Sequence, residues 1–235
     1  ENSTYNEASF IYNSPGFYLA RVHLKDPSGT ILQYTFAITI TKRPDNPIGY
    51  ILDQRDGQLY RTVQIGNQTL MAHNLNYAFL SNDSINQIMT SFSVVGGQGF
   101  YGRHYAGMAA QNSCPEGWHL PSDEEWIDLE RYLGINEDEL YLSGAGRAAG
   151  LDDKIKASFD WDEPIANPNS TGFGALPAGY WFSERSYNWG FYGHYTAFWS
   201  WNEADNIKSF GRSMSHERDE IRRTIPFSSS LSARC

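Results

Sequence analysis

Between Tyr180 and Trp201 the chain concentrates groups that bind by stacking: Tyr180, Trp181, Phe182, Tyr187, Trp189, Phe191, Tyr192, Tyr195, Phe198, Trp199 and Trp201. Aromatic faces stack on the apolar faces of sugar rings, and Tyr and Trp are rigid anchors in protein interfaces. The chain holds 7 Trp, 15 Tyr and 13 Phe, and nearly a third of them lie in this short stretch. Strand alternation sends about half of such residues inward whatever the function. The part from Ser183 to His194 mixes Glu184, Arg185, Ser186 and Asn188 with glycines and reads as a loop. Its Tyr187, Trp189, Phe191 and Tyr192 are therefore the aromatics expected at the surface. Trp199 and Trp201 complete the ligand-facing set. The ordinary reading is a large loop folded back on its own domain.

Other chemistry is thinner. Calcium takes six to eight hard oxygens, and Glu163, Asn202, Glu203 and Asp205 offer some, but in two separated segments. A solvated turn and an exposed strand end explain them as well, so no cofactor is expected and calcium is a weak candidate. The carboxylates Asp160, Asp162 and Glu163, or Glu203 and Asp205, could serve glycoside hydrolysis, which needs two carboxyls about 5 to 9 Å apart. With Asp+Glu 27, chance pairs are common. His216-Glu217-Arg218-Asp219-Glu220 starts like a zinc protease motif, but Glu220 stands where the second histidine belongs, so a charged loop is expected. Gly144 to Gly150 reads as a turn, because no strand precedes it as a phosphate cradle requires. No residue is assigned a catalytic role.

The 235 residues suffice for one or two domains with a buried core. A net charge of −9 and the lack of a basic patch exclude nucleic acid as a first partner. No stretch approaches the ~18 apolar residues of a membrane helix, and a removed signal or lipid anchor would leave no trace. Cys114 and Cys235 have no CxxC or Cys/His spacing suited to zinc. They are one long-range disulfide or two free thiols.

Several elements must position these groups. Tyr34, Phe36, Ile38 and Ile40 alternate with polar residues and predict a strand over Ile31 to Thr41. Phe17 to Leu24 is its hairpin partner through Asp26-Pro27-Ser28-Gly29, and a strand is expected near Phe10 to Tyr12. Lys42 to Pro47, with two prolines, predicts a linker. Turns at Asp56-Gly57 and Gly66-Asn67 bracket a strand over Leu59 to Ile65. Arg103 to Asn112 is expected to be a short helix. Ser122 and Glu125 form a capping box, Trp126, Leu129 and Leu133 share one face, and Gly134 stops that helix.

The strings Asp56-Gly57-Gln58-Leu59-Tyr60-Arg61-Thr62-Val63, Ile65-Gly66-Asn67-Gln68 and Met71-Ala72-His73-Asn74-Leu75 come in a recognisable order. They are followed by Cys114-Pro115-Glu116-Gly117-Trp118-His119-Leu120-Pro121-Ser122, Gly172-Phe173-Gly174-Ala175-Leu176-Pro177-Ala178-Gly179-Tyr180 and Ser232-Ala233-Arg234-Cys235. Together they resemble the successive signatures of the Fibrobacter succinogenes major paralogous domain over about residues 50 to 235. Departures are Leu70 where that family usually has Trp, His73 where it usually has Glu, and a longer Asn136 to Lys156 segment. The resemblance implies an exported or cell-surface bacterial protein, an α+β C-type-lectin-like domain with a looped antiparallel β region and two or more helices, and a Cys114–Cys235 disulfide. The first 44 residues resemble part of an immunoglobulin-like or PKD-like module, giving domains 1–44 and 48–235.

The expected function is a non-enzymatic surface or secreted module that binds a glycan or a protein, in adhesion for example. The rivals are a carbohydrate-active hydrolase or other enzyme on the same fold, and a structural component of the cell envelope.

Overall fold

A computed structural model describes residues 16–25, 27–40, 46–78, 91–92, 101–144, 147–165, 168–182, 189–201, 210–224 and 229–235. The chain divides into two compact units, Glu1–Arg43 and Pro44–Cys235. In the first, β1 (Gly16–Lys25) and β2 (Ile31–Ile40) form an antiparallel hairpin with Phe17 opposite Thr39 and Lys25 opposite Ile31. Gly29 supplies the positive φ of the connecting turn. The strand expected near Phe10 to Tyr12 lies outside the described residues.

The second unit opens with β3 (Ile48–Leu52), β4 (Leu59–Ile65) and β5 (Gln68–Met71), an antiparallel sheet in that order. Then come β6 (Ser91–Phe92), β7 (Arg103–Tyr105), α1 (Gly107–Asn112) and α2 (Asp123–Leu133). The remaining strands are β8 (Ala178–Phe182), β9 (Trp189–Tyr192), β10 (Tyr195–Trp199), β11 (Gly211–Ser215), β12 (Arg218–Thr224) and β13 (Ser229–Ser232). They join β6 and β7 in one sheet ordered β12-β11-β10-β8-β13-β7-β6, with β9 paired to β8. The class is α+β and mostly strand. The large sheet is mixed and not wholly antiparallel, because β10 meets β8 and β13 in parallel. Arg103–Tyr105, expected to be helical, pairs with β13 instead, and the helix starts only at Gly107.

The α2 helix forms as its sequence dictates. Ser122 caps the Glu125 amide, the Glu125 carboxylate caps the Ser122 amide, and Gly134 closes the helix in the left-handed region. Its buried face puts Trp126 against Phe173 and Phe198, with ring centroids 5.8 and 5.9 Å away. This aromatic cluster is the centre of the larger hydrophobic core. A disulfide joins Cys114 to Cys235, and Met71 N donates to Cys235 O at 2.8 Å, so the small sheet is tied to the residues after β13. Among the described residues no helix is long and apolar enough to cross a membrane.

Candidate functional site

The turn Gly193-His194 joins β9 to β10, and the turn His216-Glu217 joins β11 to β12. His216 N donates to His194 O at 2.9 Å and His194 N donates to Phe191 O at 3.1 Å, which holds the two turns side by side. Beside them lies a cleft of about 370 Å³ lined by Phe191, His194, Tyr195, Ser213, Met214, Ser215, His216, Glu217, Arg218, Glu220 and Arg222. The Arg218 and Arg222 guanidinium groups both pair with Glu220, whose carboxylate lies between them.

Phe191 lines this cleft, is 55% exposed and has φ at 78°. The left-handed region costs a residue with a Cβ on the order of 1–2 kcal/mol, so its surroundings must impose it. The ring stacks nearly parallel on Tyr180, 5.4 Å between centroids and 5° between planes, and Tyr180 meets Tyr195 edge-on at 5.1 Å. One aromatic face is thus presented to solvent with two rings behind it.

The other aromatics divide. Tyr192 is half-buried, 5.9 Å from the Tyr101 ring. The Trp189 backbone pairs with Trp181 in the β8–β9 ladder. Tyr187 lies outside the described residues. Trp199 corrects the expectation of a ligand-facing ring: it is 8% exposed and its Nε1 donates to Tyr105 O at 2.6 Å. Trp201 is half-buried against the core cluster that contains Tyr105 and Leu231. Both faces of β10 are covered, so Phe198 and Trp199 are buried together.

Among the carboxylates, Asp160 accepts from the Tyr101 hydroxyl at 3.1 Å. Asp162 sits 2.8 Å from His194 Nε2, and His194 Nδ1 is 2.8 Å from His216 Nε2. Glu163 is exposed. Asn202, Glu203 and Asp205 lie outside the described residues. In a separate acidic group, Asp152, Asp153 and Asp219, the buried Lys156 ammonium pairs with Asp152. His216 and Glu217 form a tight turn, but Arg218 to Glu220 do not lie on a free charged loop as expected, because Arg218–Thr224 is strand β12 with Ile221 and Arg223 turned inward.

A buried ionic network ties α2 to β11 and β12. Glu130 on α2 accepts from Arg147 Nη1 and Nη2 at 2.8 Å and from Arg212 Nε on β11 at 2.7 Å. Asp123 accepts from Arg212 Nη1 at 2.8 Å and from Arg223 Nε on β12 at 3.0 Å. Burial pushes the Asp123 carboxyl up, but the bonds from Arg223 and Arg212 outweigh it and hold the group below the ordinary carboxylate range. Arg147 belongs to the segment read as a plain glycine-rich turn, and nothing in that composition signals its burial.

Another buried arginine, Arg234, joins the segments that resemble the family signatures. Arg234 Nε donates to Asn74 Oδ1 and Nη2 to Gly174 O, each at 2.8 Å, and Nη1 donates to Phe173 O. It thereby locks together the Met71–Leu75, Gly172–Tyr180 and Ser232–Cys235 strings. The family model of the Fibrobacter succinogenes major domain matches residues 63–235. The chain belongs to that family. The Fibrobacter succinogenes major domain here takes in the Phe191 cleft, both cysteines and both arginine networks, while β3 precedes the matched range. No curated protein matches the chain, and no solved structure does.

Proposed function

We propose that this domain is a non-enzymatic binding module of a surface-exposed or secreted bacterial protein, and that it takes a glycan on the Phe191 face of the cleft. The observation that carries the reading is the strained, exposed Phe191 ring, backed by Tyr180 and bordered by Glu220 and Arg222. A pyranose offers one apolar C–H face to such a ring and hydroxyls to a carboxylate and a guanidinium beside it. Local strain kept at an exposed ring is the pattern expected where the ring is used.

The Cys114–Cys235 disulfide suits an oxidising compartment, which supports export. The order of α1, Cys114, α2 and a strand-rich remainder returning to Cys235 supports a C-type-lectin-like architecture, with an immunoglobulin-like module ahead of it. A role in adhesion fits such a surface module.

A glycan array read with the wild-type chain and with Phe191→Gly tests the proposal. Binding to a subset of glycans that vanishes in the variant, with melting retained, is the expected result. An array without hits, or hits unchanged in the variant, would sink it.

A further inference from the structure

We infer that Asp162, His194 and His216 form a binding site for a zinc-class divalent cation at the edge of the cleft. The inference is independent of whether the cleft takes a glycan.

One donor atom from each residue lies within 4.8 Å of the other two. In a tetrahedral zinc sphere with bonds of about 2.0–2.1 Å, neighbouring donors stand roughly 3.3 Å apart. Here His194 is 2.8 Å from Asp162 Oδ2 through Nε2 and 2.8 Å from His216 Nε2 through Nδ1. One His194 nitrogen ligates the cation in place of the proton it now shares, and the partner at the opposite ring nitrogen reaches the same ion by a side-chain rotation, since one donor atom of each residue already lies within 4.8 Å of the others.

The backbone places all three groups before any ion arrives. Asp162 N donates to Gly193 O and His216 N donates to His194 O, both at 2.9 Å, so three separate turns are tied at the donors themselves. Gly193 has φ of +80°, and a Cβ there would stand 2.2 Å from Asp162 Oδ1. The approach of that carboxylate therefore depends on the absence of a side chain. Preorganisation of this kind removes much of the ordering cost of binding.

The donor set selects the metal. Two imidazoles and one carboxylate suit zinc and its neighbours, whereas calcium and magnesium require oxygen ligands. The side chains of His194 and Asp162 are 50% and 44% exposed and that of His216 only 12%. The site is anchored on its inner side and faces water on the other, which leaves a fourth position for a water or a ligand oxygen. The Glu217 carboxylate, 3.9 Å from His216 Nε2, adds negative charge nearby.

The test uses the untagged chain and Zn²⁺ alone. Equilibrium dialysis with metal analysis is expected to show one retained zinc per chain, weakened at least tenfold by His216→Gln and by Asp162→Asn. Cobalt(II) is expected to give the intense visible bands of a four-coordinate site. In the wild-type protein, titration with Zn²⁺ should move the imidazole NMR signals of His194 and His216 and leave those of His104 and His119 in place. This last measurement needs no variant to fold. Absence of retained zinc, equal retention in both variants, pale octahedral cobalt bands, or shifts confined to other histidines would each overturn the assignment.

Discussion

The Arg234 guanidinium lies 4.2 Å from the centroid of the Phe173 ring while donating to the carbonyl oxygen of that same residue. One residue thus receives both a cation–π contact and a hydrogen bond from a cation that is 1% exposed. Burial, with Arg61 as a second cause, holds the Arg234 pKa well below its ordinary value. It donates to one side-chain amide oxygen and two backbone carbonyl oxygens.

Arg234→Met is expected to lower unfolding free energy by roughly 3–5 kcal/mol, because Asn74 and two carbonyls lose their donor inside the core. Arg234→Lys should not rescue it, since an ammonium cannot reproduce a planar fork that also stacks. Urea titration of the three proteins checks both points.

Glu130→Gln keeps the shape of the side chain and removes its charge from between Arg147 and Arg212. Breaking such a buried network costs about 3–5 kcal/mol. Calorimetry should show a large drop in melting temperature, and Asp128→Asn on the exposed face of the same helix should show almost none.

His73 stands where the resemblance to the family implies a glutamate. Its Nδ1 accepts from the Arg61 amide at 3.2 Å, and burial, then Arg61 and Arg234, push its pKa down to about 4. The ring is nonetheless exposed on its outer side, so the gain from a carboxylate is discounted for solvent. His73→Glu should raise stability by up to about 1 kcal/mol, and the gain should shrink with added salt. An unchanged or lower urea midpoint would count against it.

His104 is 1% exposed, and burial pushes its pKa down to about 4, with the Ala178 backbone opposing weakly. The folded value lies below the unfolded value of about 6.5, so the unfolded chain binds the proton first. Stability is therefore full above pH 6.5 and is lost as pH falls toward 4, by at most about 3 kcal/mol from this group. His104→Phe should flatten that part of the pH profile. Urea midpoints at pH 7 and pH 5 measure it.

Phe191→Gly is expected to be about 1 kcal/mol more stable than Phe191→Ala, since only glycine accepts φ of 78° without strain. Both lose the exposed ring equally. Equal melting of the two variants would mean that the turn relaxes once the ring is gone.

What the sequence disclosed was local. The capping box and stop of α2, the bracketed strand Leu59–Ile65 and the hairpin of β1 and β2 follow from neighbours a few positions apart. The glycines and polar residues of Ser183 to His194 mark Phe191 for the surface together with Tyr187, Trp189 and Tyr192. Trp199 was misplaced because alternation assumes one wet face, and β10 is paired on both sides and covered on both faces. His194 and His216 stand 22 positions apart, and only the pairing of their two turns brings them together. Arg147 sits among glycines and alanines, a context that says turn and gives no hint of the carboxylate on α2. Sequence-local signals report caps and turns, while charges buried through long-range pairing leave no periodicity to find.

The Cys114–Cys235 bond also has a mechanical meaning. Tension applied across the domain between a point before Cys114 and Cys235 passes through the sulfur atoms and bypasses every residue from 115 to 234. Phe191, Asp162, His194 and His216 all lie in that bypassed loop. A pull that strips β3 to β5 away from the rest therefore leaves the cleft unstretched, and a tethered domain bears load without residues 115 to 234 being drawn out into chain.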